Sequence, residues 1–215
     1  MRNITLANDQ YYHIFNRGVD KRQIFMDDLD PLRFIHGLKM FNIVNKVNTR
    51  SINRIKWSLG SAHHLYTQII SYCLMPNHFH LLLKQISDNG IPMYLGRLAN
   101  GYTKYFNAKN KRSGRLFEGP YEAVEISSDA QLIHTSRYIH MNPISIVEPG
   151  WKKTGIKDTS AAMNIIESYK WSSYRSLIGL DDPLLIDKTV INEYFPSSSS
   201  YKDFVTNFIK ESRQL

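Results

Sequence analysis

A single cysteine, Cys73, in 215 residues excludes an intramolecular disulfide framework and a multi-cysteine zinc cluster. No apolar run approaches the ~18 residues needed to span a bilayer. Met1 to Gln10 is polar and lacks the apolar stretch of a signal peptide. There is no internal repeat and no long low-complexity tract; the serine run Ser197 to Ser200 reads as a linker. These absences point to a reducing, cytoplasmic setting, and the length fits one domain with extensions or at most two small ones. What is present is a basic body: 27 Lys+Arg oppose 19 Asp+Glu, a net +8 with neutral histidines. The excess is uneven. Residues 181–215 hold six acids and four bases, so residues 1–180 carry 23 bases against 13 acids, a net +10. Such a body suits a polyanion, most often nucleic acid.

Four segments read as strands: Tyr11 to Asn16, Tyr66 to Leu74, Asn77 to Lys84 and Tyr121 to Ile126. The short Met75-Pro76 link makes the second and third an antiparallel hairpin. Three helices alternate with them. Asp28 is placed to cap the first, with Pro31 in its opening turn and Leu32, Ile35, Leu38 and Phe41 or Val44 as its stripe. Pro92 begins the second, which carries Leu95, Leu98, Tyr102, Tyr105 and Phe106. Ser128 and Gln131 form a capping-box signature for the third, which must end near Asn142 because Pro143 follows. The order predicts an α+β fold: a ferredoxin-like βαββαβ antiparallel sheet with helices on one face, plus a C-terminal helical extension. The expected division is a domain over 1–150, with a polar insertion at about 45–65, and an extension over 151–215 packed on it. The extension's aromatics, Trp171, Tyr174, Tyr194, Phe195, Phe204 and Phe208, suit either packing on the core or a homodimer contact.

The sharpest local feature is Met75-Pro76-Asn77-His78-Phe79-His80-Leu81-Leu82-Leu83. Strand alternation puts His78 and His80 on one face and Phe79, Leu81 and Leu83 on the other. Two same-face imidazoles offer two nitrogens to one divalent metal and leave the site short of a third ligand. The plainer reading is a pair of hydrogen-bonded, inert histidines. On the third helix His134, Tyr138 and Asn142 follow at four-residue steps, sharing a face within about 40° of drift per step. The Asn142 amide is a candidate for the missing ligand and Tyr138 for a nucleophile, a phenol that needs activation by positive charge or a metal. Simple packing of the helix on the sheet explains Tyr138 equally well, and His134 reads as a packing or phosphate-contact residue. Residues 101–120 interleave Tyr102, Tyr105 and Phe106 with Lys104, Lys109, Lys111, Arg112 and Arg115, against one acid, Glu118. That mixture fits single-stranded nucleic acid, with Lys109 to Arg115 the better phosphate contact and Tyr102 and Phe106 partly core.

With these pieces in place, the chain resembles the IS200-like tyrosine transposases, and among them the REP-associated tyrosine transposases of the HUH single-strand endonuclease group. The resemblance is carried by His13-Ile14-Phe15-Asn16-Arg17-Gly18, the PNHFHLL run from Pro76, Tyr102 to Asn107, and Gly114-Arg115-Leu116-Phe117-Glu118-Gly119. It continues through Tyr138-Ile139-His140-Met141-Asn142-Pro143 and Trp171-Ser172-Ser173-Tyr174, and covers roughly residues 8–180. The resemblance implies single-stranded or hairpin DNA as substrate and a divalent metal, Mg²⁺ or Mn²⁺. It implies His78, His80 and Asn142 as metal ligands, where the insertion-sequence branch usually has glutamine at the third position. It implies Tyr138 as the nucleophile that forms a 5′-phosphotyrosine, with Arg17 joining Lys104, Lys109, Lys111, Arg112 and Arg115 on DNA. Pro120 departs from the basic residue often found after the Gly119-like glycine. The competing readings are a domesticated, non-cleaving hairpin-binding protein, an RNA-recognition module, whose characteristic aromatic string is absent, and a relaxase, whose histidine triad or paired tyrosines are absent in the expected form.

Overall fold

A computed structural model describes residues 4–44, 64–181 and 185–212. The insertion expected at about 45–65 lies almost wholly outside the described residues. Four strands, β1 (Tyr11–Arg17), β2 (Thr67–Met75), β3 (His78–Gln85) and β4 (Glu122–Ile126), form one sheet in the order β2-β3-β1-β4. Every neighbouring pair is antiparallel. The helices α1 (Leu29–Met40) and α2 (Gly90–Lys109) lie between β1 and β2 and between β3 and β4. This is the expected ferredoxin-like α+β architecture.

Side chains alternate between the two faces of the sheet, with a register shift in β2 between Ile69 and Ser71. Tyr12 and Ile14 of β1, Phe79, Leu81 and Leu83 of β3, and Tyr72 and Leu74 of β2 are buried. On this face Phe79 meets Phe34 of α1, and Tyr102 of α2 meets Phe34 and Phe117. Both crossover helices therefore sit on one face. The other face, with His13, Phe15, His80 and Cys73 in register, receives α3 (Asp129–Met141). Behind α3 follow α4 (Ile144–Val147), α5 (Trp151–Thr154), α6 (Thr159–Ser168), α7 (Tyr174–Leu177), α8 (Thr189–Tyr194) and α9 (Ser198–Glu211). Among the described residues no helix is long and apolar enough to cross a membrane.

Several local expectations shift. Helix α1 turns Phe34 and Leu38 inward and leaves Leu32 exposed, because the segment offers two overlapping apolar stripes and the Phe34 ring stacks into the aromatic core. Asp28 occupies the N-cap position, but its side chain caps nothing; Asp27 accepts from the Leu29 N–H and Asp30 from the Met26 N–H. Helix α2 starts at Gly90, two residues before Pro92. Ser128 does cap α3, accepting from the Gln131 N–H, while the Gln131 amide reaches Ser127 rather than closing on Ser128. Ser197 to Ser200 is no linker: Ser197 and Ser200 form a reciprocal capping box that opens α9.

The C-terminal helices are bound to the sheet edge and to α3. Leu74 N–H donates to the Trp171 carbonyl, and Cys73 bridges to Ser172, so residues 171–173 cover the outer edge of β2. Tyr201, Val205 and Ile209 of α9 are buried, and Arg137 of α3 lies over Phe204 and Phe208, 4.4 and 3.8 Å from their ring centres. His140 completes the attachment. Its Nδ1 meets the Tyr201 hydroxyl at 2.7 Å and its Nε2 the Ser173 hydroxyl at 2.8 Å, while Ser136 also contacts Tyr201. Ser136 and His140 share one face of α3. Tyr138, two residues from each, is turned to the other side at about 100° per residue.

Candidate functional site

The C-terminal end of β1, the N-terminal end of β3, the loop before β4, and α3 and α5 enclose a cleft of about 840 Å³. Its lining includes Arg17, His78, His80, Glu122, Tyr138 and Lys152. Register explains the histidines. His80 pairs with Phe15, His78 with Arg17 and Leu82 with His13, so all these side chains lie on the α3 face. The two rings sit 5.0 Å apart, nearly perpendicular. Gly18 fixes the corner at the end of β1: a Cβ there would stand 2.3 Å from the Arg22 carbonyl oxygen, closer than any side chain tolerates.

Each histidine of the pair has one nitrogen tied. His78 Nδ1 lies 2.6 Å from the Asn77 amide oxygen, which only accepts, so Nδ1 carries the proton. His80 Nδ1 lies 2.9 Å from Nε2 of His13. The remaining nitrogen, Nε2 of each ring, is not used in these bonds. All three imidazoles are held neutral. Burial, then the Lys152 charge, lowers His13 to about 4; burial, then Lys152 and Arg17, lowers His78 to about 4. His80 is pushed well below the usual histidine range by burial first and its two histidine neighbours next. A neutral imidazole with its proton on Nδ1 can bind a divalent cation through Nε2, and the Asn77 contact puts His78 in that state. Among the described residues no three His, Cys, Asp or Glu side chains cluster as a metal cage.

Tyr138 stands over this pair from α3. Its ring centre is 5.9 Å from that of His80 and 5.9 Å from that of His13, both edge-on. It is 37% exposed, whereas Tyr102 is buried with its hydroxyl on the Ile24 carbonyl, and Tyr105 is bound to Asp30. Asn142, one turn on, is 1% exposed; its amide nitrogen donates to the carbonyls of Tyr138 and Ile139. Its oxygen accepts from Lys152 at 3.0 Å, and the same ammonium donates to the Tyr138 hydroxyl at 2.7 Å. Tyr138 and Asn142 are thus joined through Lys152. His134 lies apart, its ring 6.1 Å from Phe204 of α9.

Among the expected DNA contacts, Arg17 lines the cleft and forms an ion pair with Glu118, its Nη2 3.0 Å from a carboxylate oxygen. Lys104, Lys111 and Arg115 are exposed on or after α2, outside that lining. Lys109 is committed to Asp27 and Asp30 at 2.7 and 2.6 Å, and Arg112 to the Asn107 side chain and the Arg115 carbonyl. Local motifs give no role to two residues that the fold brings to the site: His13, bonded to His80 from 67 positions earlier, and Lys152 of the cleft lining, 14 positions after Tyr138. The two-residue alternation of Tyr11, His13 and Phe15 was the available signal for the first; the second had none.

Residues 7–142, more than half of the chain, match the family described as Transposase IS200 like. The chain belongs to the IS200-like transposase family. Among solved structures it is similar to a REP-associated tyrosine transposase bound to a REP hairpin, with a TM-score of 0.52 and 12% identity over 83% of this chain and 84% of that one. This likeness shows the shared fold. A candidate transposase from Deinococcus radiodurans R1 aligns with a TM-score of 0.34 and 17% identity over 65% of this chain and 95% of that one. No curated protein matches the chain in sequence.

Proposed function

We propose that this member of the IS200-like transposase family cleaves and rejoins single-stranded DNA beside hairpins, with Tyr138 as nucleophile and a divalent metal, Mg²⁺ or Mn²⁺, held by His78 and His80. The observation that carries the reading is the Tyr138 phenol in one cleft with two neutral imidazoles of its own chain, each with Nδ1 already engaged. No second copy is needed to bring these groups together. Asn142 joins as a third metal ligand only when Lys152 releases its oxygen.

When bound, the metal would polarise a non-bridging oxygen of the scissile phosphate. The protein's own residues do the rest. Asn77 fixes the His78 proton on Nδ1, and His13 holds the His80 ring through its Nδ1. The helix α3, pinned by His140 and Arg137, holds the phenol over the cleft. The Tyr138 oxygen bonds to phosphorus, the bond to the 3′ oxygen breaks, the phenol proton leaves to solvent and the departing oxygen takes up a proton from solvent. The phosphoester is conserved as a 5′-phosphotyrosine, so a free 3′-OH reverses the step without a nucleotide cofactor. Arg17, with the exposed Lys104, Lys111 and Arg115, supplies phosphate contacts.

Incubation with pooled single-stranded hairpin oligonucleotides and Mn²⁺ should give a covalent protein–DNA band on denaturing gels, with the added nucleotide mapped to Tyr138 by mass spectrometry. Tyr138→Phe should keep binding and lose the band; a band that persists in this variant removes Tyr138 from the role. One observation favours a second reading, a hairpin-binding protein that no longer cuts: the Asn142 oxygen is occupied by an ammonium. Retained hairpin binding without any adduct in the wild-type protein would select it.

A further inference from the structure

Lys152 is a surface lysine whose charged end folds back into the cleft. It sits on the short helix α5, which is fixed at the neighbouring position by the buried Trp151, whose indole N–H donates to the Ser145 hydroxyl at 3.0 Å. The ammonium donates to the Tyr138 hydroxyl at 2.7 Å and to Asn142 at 3.0 Å, and lies 4.3 Å from the centre of the Tyr138 ring. An ammonium has three donors and no acceptor. One is spent on Tyr138; the third, and the one on Asn142 once that oxygen turns to a metal, can serve a substrate. Arg17 and Lys21 also line the cleft, and Arg17 is paired with Glu118.

We propose that Lys152 is a catalytic residue of the cleft, contacting a non-bridging oxygen of the scissile phosphodiester while Tyr138 attacks. This rests on the reading of Tyr138 as nucleophile. The geometry follows from the shared atom. An attacking oxygen approaches phosphorus to about 3–3.5 Å. A donor 2.7 Å from that same oxygen is then within reach of the oxygens on phosphorus. Negative charge spreads over those oxygens as the transfer proceeds, so a fixed point charge there binds the transition state more tightly than the ground state. The ammonium keeps its protons throughout: the Oη–P bond forms, the P–O3′ bond breaks, and the protons exchange with solvent.

Lys152→Met keeps the length and apolar stem and removes the charge; Lys152→Arg keeps the charge. The probe is a pool of single-stranded hairpin oligonucleotides with Mn²⁺, read as the single-turnover rate of covalent adduct formation, beside the dissociation constant of the same DNA in EDTA. The expected result is an adduct rate roughly 10²–10³-fold lower in Lys152→Met, in the range found for loss of one transition-state donor. DNA affinity and melting temperature should stay close to wild type, and Lys152→Arg should recover most of the rate. A wild-type rate in Lys152→Met overturns the assignment. So does a loss of rate matched by an equal loss of affinity, which would make Lys152 a DNA-binding contact alone. If the wild-type protein forms no adduct with any hairpin, the Tyr138 reading fails and takes this inference with it; an adduct that is indifferent to Lys152 defeats only the inference.

Discussion

Two groups of histidines sit on opposite sides of α3 and are treated differently. His140, between α3 and the C-terminal helices, has both ring nitrogens engaged by protein hydroxyls, from Tyr201 and Ser173. His78 and His80 each have one nitrogen engaged, and their rings line an open cleft. All three are neutral, His140 because burial lowers it to about 3. The difference lies in the partners. An imidazole bonded twice to protein joins two pieces of structure. An imidazole bonded once, in a cleft, is oriented for a ligand from outside.

The sharpest way to break this comparison is to remove the rings. His80→Ala or His78→Ala should abolish Mn²⁺ binding by calorimetry and reduce adduct formation by at least about a thousandfold on the proposed mechanism, with a smaller loss of stability than His140→Ala, whose ring holds two partners. His140→Ala should do the reverse: metal binding retained, and stability lowered by about 2–4 kcal/mol in urea unfolding, from a cavity plus orphaned hydroxyls. A His140→Ala protein that is fully stable would show that the double engagement carries no structural weight.

The second test is acid. A histidine lowered from 6.5 to about 3 or 4 in the folded chain stays neutral while the unfolded chain is protonated. The unfolded state then binds more protons, so the stability present above pH 6.5 is lost as pH falls from 6.5 toward 3–4. At pH 5 the loss is about 2 kcal/mol per buried imidazole. Urea midpoints at pH 7.5 and 5 measure it. His140→Phe should flatten the dependence, whereas Mn²⁺ at pH 7.5 should add stability that fades on acidification as protons compete for the cleft imidazoles.

Smaller effects sharpen the cleft side. His13→Ala should weaken Mn²⁺ binding by about 10–100-fold, and His13→Gln, which keeps a hydrogen-bonding amide, by less. Equal affinity in both variants and the wild type would show that His80 needs no orienting partner. The smallest effect expected is on DNA affinity in Lys109→Ala, within about twofold. Its loss should instead fall on stability, by roughly 1–2 kcal/mol, because buried Asp30 loses a partner. A strong affinity loss would return Lys109 to the DNA contacts.

Patterns with a short period were legible in the sequence: the four strands, the His78/His80 face, the capping serine of α3 and its end before Pro143. Each depends on neighbours within a turn or a pleat. The stripe of α1 holds at Ile35, Leu38, Phe41 and Val44 and fails at Leu32, because Leu32 and Phe34 both satisfy helical spacing and only the aromatic core on the sheet chooses between them. Ser197 to Ser200 misled because composition alone does not separate a cap from a linker.

What the sequence by itself determined is therefore the α+β order, the basic body and the chemical types present, since dihedral preferences and alternation act over a few residues. Tertiary structure alone decided which of those groups meet. His13 reaches His80 through the β1–β3 register, Lys152 reaches Tyr138 through a turn anchored by Trp151, and Lys109 is drawn to Asp30. These contacts join residues whose separation along the chain sets no distance until strands pair and helices pack.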